Sequence, residues 1–353
     1  MPSAAGLPAS EVQIMGVTIR SVAVKRERPA QPLLAFVPAL AVMSWPFWLR
    51  GAHAVAESAR MLMLLGALAM PLLAAAWWLG LAPRSPRSVF ERRARQLALL
   101  AFAAPPLFVS LSFVLRVLEK PLPEPVAWVG LWAAVAAWLG VADSKAPAGM
   151  GRPPDATARV VHGVIAALVL AFIAFHLVNH LAGLLGPQVH ASVMHLGRSL
   201  YRSPAVEAVL VVLLLLQVAF GAGLAWRWSA RAMDGYRAVQ VATGVYAGFF
   251  LLTHLNSALV SARLLNGVDT DWAWASGAPV GLLHDAWSIR LLPHYALGVF
   301  CVLVHLACGL RVVLLAHGWQ QHVANRGWWA GLALAATVAA LIVAGLCGLR
   351  ITA

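Results

Sequence analysis

The stretch Phe175–Gly186, FHLVNHLAGLLG, closes a long apolar run yet carries His176, Asn179 and His180. Polar and ionisable side chains are costly inside a bilayer, so they usually face a bundle interior and mark function. Depth along the chain pairs them with others. His176 lies 17 residues past Arg159 and His254 lies 17 past Arg237, each roughly 25 Å from the basic start of its run at 1.5 Å per residue. Gln217 lies ten residues before Arg227, and His305 about ten before the inner end of its own run. These two share a level some 15 Å from that same cytoplasmic surface, in the inner half of the bilayer. Two rungs result, His176 with His254 and Gln217 with His305.

A planar haem between helices needs an axial donor from each side at a common depth, with imidazole nitrogen the usual b-type ligand and small residues nearby to admit the ring. The outer rung meets the depth condition, and Gly163, Gly183, Gly244 and Gly248 supply room. A zinc site wants three or four clustered donors, and HxxxH, His176 with His180, supplies two. For any one of these histidines taken alone, a hydrogen-bonded packing role is the alternative. Glutamine is an unusual iron ligand, so the expectation is one haem b, or two if the Gln217–His305 rung is also filled. His162 and Gln240 fall three residues inside their runs, where they would hydrogen-bond a quinone head group or anchor the interface. Asn179, His180, Asn256 and Ser257, toward the outer surface, are candidates for the same work or for support around the outer haem.

His190, His195 and His294, with His53, His284, His317 and His322, read as solvated or packed side chains. Trp272, Trp274 and Trp287 read as an aromatic belt. Haem propionates would find Arg198, Arg202, Arg263 and Arg290 outside, and Arg227, Arg231, Arg237 and Arg311 inside. Cys301, Cys308 and Cys347 lie in apolar runs without a CxxC, which argues against an iron–sulfur cluster bound by this chain.

The elements that position these groups follow from composition. Of 353 residues 61% are hydrophobic and 11% charged, and apolar runs of about 20 residues can only cross a bilayer as helices. The fold class is therefore all-α, a polytopic transmembrane helix bundle. Nine spans are expected, centred on residues 33–49, 60–81, 95–118, 125–142, 159–185, 204–227, 237–265, 290–316 and 328–349, with Pro38 and Pro46 leaving a kinked or re-entrant segment as the alternative for the first. With a cytoplasmic N-terminus, 17 of the 26 Lys and Arg residues fall on the inner side, as the positive-inside rule expects. The net charge of +13 thus reflects topology, and short basic turns without a continuous stripe give no support to a nucleic-acid partner. Residues 1–32 read as a short cytoplasmic arm with some strand character and no removable signal peptide. Residues 33–145 form an N-terminal four-helix membrane region and 155–353 a five-helix membrane domain.

An internal repeat relates these helices. Offset by 78 residues, Arg159, His162 and His176-Leu177 fall on Arg237, Gln240 and His254-Leu255. Offset by 88, Gln217 falls on His305 and Gly221 on Gly309. A fainter third copy, Arg93, Gln96 and Ser110-Leu111, places serine at the histidine position.

The segments RVVHGVIAALVLAFIAFHLVNHLAGLLGP, LLLLQVAFGAG, VQVATGVYAGFFLLTHL and PHYALGVFCVLVHLACGLR resemble, in order and spacing, the five-helix dihaem cytochrome b anchor of succinate dehydrogenases and fumarate reductases, over roughly residues 159–350. The resemblance implies a non-catalytic electron-transfer subunit of a bacterial inner membrane. It would pass electrons between membrane quinone and cytoplasmic flavoprotein and iron–sulfur subunits. It further implies His176 and His254 as outer haem ligands and His305 as an inner one, with Gln217 at the fourth ligand position. That glutamine departs from the family pattern, as do the extra N-terminal helices. The competing class is a haem-free scaffold or transporter derived from such a cytochrome. Only Glu207 lies within the apolar runs as a carboxylate, which argues against a proton-coupled carrier.

Overall fold

With no water in the hydrocarbon layer, each backbone N–H and C=O must pair within its own segment. The computed structural model, which describes residues 11–14, 17–20, 32–119, 122–149 and 153–351, is accordingly almost wholly helical. Residues Met1–Ala35 form one unit and Phe36–Ala353 another. In the first, β1 (Glu11–Ile14) and β2 (Val17–Arg20) pair antiparallel, with Glu11 opposite Arg20. The strand character expected of the arm is present there. Lys25, Arg26, Arg28 and Arg152 lie outside the described residues.

The second unit begins with α1 (Val37–Met43), α2 (Trp45–Ala54), α3 (Glu57–Leu81), α4 (Val89–Phe102), α5 (Ala104–Val117) and α6 (Glu124–Gly140). It continues with α7 (Ala156–Ala182), α8 (Pro187–Tyr201), α9 (Pro204–Ser229), α10 (Gly235–Leu255), α11 (Trp272–Ser276), α12 (Leu291–Ala316) and α13 (Gln321–Leu346). Asn256–Leu265 prolongs α10 as a π-helix. The repeat-related helices α7 and α10 both open on an aspartate cap: Asp155 accepts from the Thr157 amide at 3.0 Å and Asp234 from the Arg237 amide at 2.7 Å.

Among the described residues, seven helical segments, the first running from Leu33 through α2, are long and apolar enough to cross a membrane, which makes the chain an integral membrane protein. The nine expected spans are not all supplied. Residues 95–118, one continuous apolar run in sequence, are two helices, α4 and α5, bent by 71° and giving an eighth span only if the pair crosses as one. Pro105 and Pro106 account for the break, because proline lacks the N–H and clashes with the preceding turn. The fourth expected span, 125–142, is α6, whose 17 residues fall short of the roughly 20 a hydrocarbon core requires.

Loop contacts sort the helix ends into two faces. Met233 N–H donates to the Ala82 carbonyl and the Ala232 N–H to Ser85 Oγ, while Val89 and Phe90 N–H groups reach the Ala146 and Asp143 carbonyls. The segment from α4 to α6 therefore leaves and re-enters one face, whatever path it takes between. That face gathers Arg84, Arg87, Lys145, Arg227 and Arg231. On the other, Ile351 N–H donates to the Leu184 carbonyl, and Arg198 pairs with Asp269 at 2.9 Å.

The N-terminal helices pack on α10 and α12 through buried polar contacts. Trp78 Nε1 donates to the Ala238 carbonyl at 2.9 Å, and Ser110 Oγ lies 2.7 Å from Thr253 Oγ1, beside His254. Arg290, with 9% of its side chain exposed, donates to both Glu124 oxygens at 2.9 and 3.0 Å and to Ser112 Oγ at 2.6 Å. Glu124→Ala strands that guanidinium and lowers stability by about 3 kcal/mol, read as a drop in thermal midpoint in detergent. Pairing it with Arg290→Leu recovers part of the loss, and an unchanged midpoint in the single variant contradicts this account.

Candidate functional site

Helices α7, α9, α10 and α12 surround a cavity of about 1660 Å³, larger than the roughly 300–1,000 Å³ of a typical small-molecule site. Its walls are mostly apolar, and into it project His162, His176, His180, Gln217, His254 and His305. The donors face one another in pairs. The His176 and His254 ring centroids are 5.8 Å apart, with planes at 71°. Two imidazoles on opposite sides of one metal ion, bonded at about 2 Å each, hold their centroids about 6 Å apart.

Both rings are held the same way. Phe172 stacks on His176 at 5.6 Å and 23°, and Phe250 stacks on His254 at 5.7 Å and 19°. Each phenylalanine stands four residues before its histidine, on the same helical face. Phe172 falls on Phe250 at the same 78-residue offset that relates the histidines. The repeat thus extends to the aromatic partners of the histidines.

At the inner level the grouping differs from expectation. His305 approaches His162, with centroids 6.1 Å apart and planes at 83°, and Gln217 instead lies against His162, amide nitrogen to Nε2 at 3.2 Å. Depth counted from Arg159 puts His162 near the surface, but α7 begins at Ala156, and His162 sits level with Gln217 and His305. His305 Nδ1 lies 3.0 Å from the Gln240 carbonyl. A carbonyl only accepts, so Nδ1 carries the proton and Nε2 keeps its lone pair. The Gln240 side chain turns away to accept from Arg237 at 2.5 Å.

Glycines admit these rings. A Cβ on Gly244 would lie 2.7 Å from His305 Cε1, and one on Gly221 would lie 3.2 Å from His162 Cε1. Gly163 and Gly309 border open cavity, with nothing within 4 Å of an added Cβ. Gly183 serves packing instead, since its Cβ position is taken by the Trp272 ring.

The outer end is polar. Asn179 Nδ2 lies 3.2 Å from His190 Nε2, and the His180 ring lies 4.7 Å from His176 and 5.9 Å from His190. Asn179 Oδ1, His180 Nδ1 and His190 Nδ1 are buried without partners, at a cost of about 1–3 kcal/mol each unless a polar group meets them. Asn256 does not line the cavity. Arg198, Arg202 and Arg263 ring this mouth, tied to Asp269 and Glu207, while Arg159 and Arg237 line the inner end. Arg290 and Arg311 are engaged elsewhere, Arg311 with Asn325 at 2.8 Å.

His190, read from sequence as a solvated or packed loop residue, is 2% exposed on α8 against Trp272. Burial first, and then Arg198, push its pKa down to about 4, with Asp271 opposing. An unfolded histidine titrates near 6.5, so between about 6.5 and 4 the unfolded chain binds the extra proton. The stabilisation is full above that window and is lost as pH falls through it. The thermal midpoint should decline over this range, and less steeply in His190→Gln; equal slopes contradict the assignment.

No family model, curated protein or solved structure matches this chain. Among the described residues, no three or more His, Cys, Asp or Glu side chains gather as a metal-binding group. A haem brings four nitrogens of its own to its iron and would ask the protein for only one or two more donors, which facing imidazoles could supply.

Proposed function

We propose that this protein is a membrane-embedded b-type cytochrome that exchanges electrons between membrane quinone and a partner. The observation that carries the reading is the His176–His254 pair, 5.8 Å apart in an apolar, glycine-notched cavity and stacked on repeat-related phenylalanines. A haem bound there supplies one-electron exchange at its iron.

The protein's own residues do the rest. His176 and His254 would hold the haem iron through their imidazole nitrogens, and Phe172 and Phe250 fix the imidazole planes. Arg198, Arg202 and Arg263 offer cationic partners for propionates at the outer mouth. The apolar walls exclude water and lower the local dielectric, which tunes the potential. Asn179, His180 and His190 supply the unpaired atoms that would hydrogen-bond a quinone head group and pass its proton outward.

The basic face fits the cytoplasmic side of a bacterial inner membrane. It suits docking of flavoprotein and iron–sulfur subunits of a succinate dehydrogenase or fumarate reductase type of complex, whose anchor the segments over 159–350 resemble. Chemistry on dicarboxylates would belong to those subunits. Glu207, the apolar-run carboxylate, is bound by Arg263 in a two-pronged ion pair, which does not favour the carrier alternative.

The test is quinol-driven reduction. Anaerobic addition of a menaquinol or ubiquinol analogue to the purified protein should reduce its haem. Asn179→Leu should slow this step without altering the dithionite-reduced spectrum. A haem that neither quinol reduces contradicts the quinone assignment.

A further inference from the structure

Resting on the cytochrome reading, we infer that His162 and His305 are the axial ligands of a second, inner haem, with Gln217 acting as the residue that positions His162. The family pattern would make position 217 a ligand; the geometry assigns that role to a different helix.

Four observations converge. The His162–His305 centroid separation of 6.1 Å nearly matches the 5.8 Å of the outer pair, and both pairs have steeply crossed planes, at 83° and 71°. Each inner imidazole rests in a glycine notch on a facing helix, His162 over Gly221 of α9 and His305 over Gly244 of α10. At His305 the nitrogens are sorted as ligation requires. His305 gives Nδ1–H to a backbone carbonyl, the support common to metal-bound histidine, and keeps Nε2 free. His162 has one ring nitrogen against Gln217, while its Nδ1 and Gln217 Oε1 are buried and unpartnered. With the amide turned so that its oxygen accepts the ring N–H, Gln217 orients the imidazole and leaves the second nitrogen for iron.

The fourth observation is the pattern across the repeat. Each half supplies one histidine and one glutamine at this level, His162 with Gln217 from α7 and α9, and Gln240 with His305 from α10 and α12. Histidine and glutamine have changed helices between the halves, so the imidazole count stays at two. His162 and His176 are 14 residues apart on α7, close to four turns, which puts both on one face about 21 Å apart along the axis. One cavity then holds two levels of ligand.

Haem content of the purified full-length protein tests this. Wild type should carry two haems per chain, with two low-spin bis-imidazole signals in electron paramagnetic resonance. His162→Gln, which installs the side chain of the repeat-equivalent position, should leave one haem and one signal, as should His305→Gln. In both, the retained outer signal reports that the bundle has folded. Gln217→Ala should keep both haems and shift one midpoint potential. One haem in wild type that His162→Gln does not affect overturns the inference while leaving the cytochrome reading intact. So does loss of a haem in Gln217→Ala that His162→Gln retains. No haem in wild type overturns both.

Discussion

If the proposed cytochrome reading holds, His254→Ala should remove the outer haem, whereas His284→Ala should leave the spectrum unchanged. Loss of a single supporting contact around a metal-bound histidine weakens metal binding by about 10–100-fold, and loss of the ligand itself should exceed that. Among the described residues, neither neighbouring histidine is placed to substitute symmetrically. His180 is on the His176 side, 4.7 Å from that ring, and His294 is held off by Phe250, whose ring lies 4.8 Å from it and 5.7 Å from His254. His284 lies exposed against Arg60 at 3.2 Å and reports any general effect of losing an imidazole. Absorption of the purified variants reads the result, and equal spectra for the two contradict the assignment.

Gly244→Val is the second large effect. Its Cβ would sit 2.7 Å from His305 Cε1 and 2.9 Å from Nδ1, so the ring must move and its bond to the Gln240 carbonyl must break. Overpacking of this kind costs about 1–3 kcal/mol, and the displaced imidazole no longer faces His162. Haem should fall by one per chain, with the outer spectrum retained. Gly80→Ala, on α3 with nothing within 4 Å of the new Cβ, should leave haem content and thermal midpoint unchanged or slightly raised. Full haem content in Gly244→Val contradicts the placement of His305.

Helix existence was legible because hydropathy reports it directly, and the His176–His254 approach because both residues stand 17 beyond an arginine at the same face. Other features were not, for identifiable reasons. Hydropathy does not register the 71° bend at Pro105-Pro106, because the residues flanking it, Leu97–Phe102 and Leu107–Val109, are apolar on both sides. Counting rise from Arg159 ignores the extra turn of α7 before it, so His162 seemed shallow and its approach to His305 was hidden. α8 is amphipathic and short, and a run like that reads as loop when spans are sought; its buried His190 was lost with it. Phe172 and Phe250 were readable from the 78-residue offset, but aromatic residues in lipid-facing runs are too common to stand out without the rings beside them.

The most direct measurement is a reduced-minus-oxidised absorption spectrum of the protein purified after haem-replete expression. Sharp b-type bands that disappear when His176 and His254 are both replaced with alanine, and His162 and His305 with glutamine, are the predicted result. A flat wild-type spectrum would contradict the account at its centre.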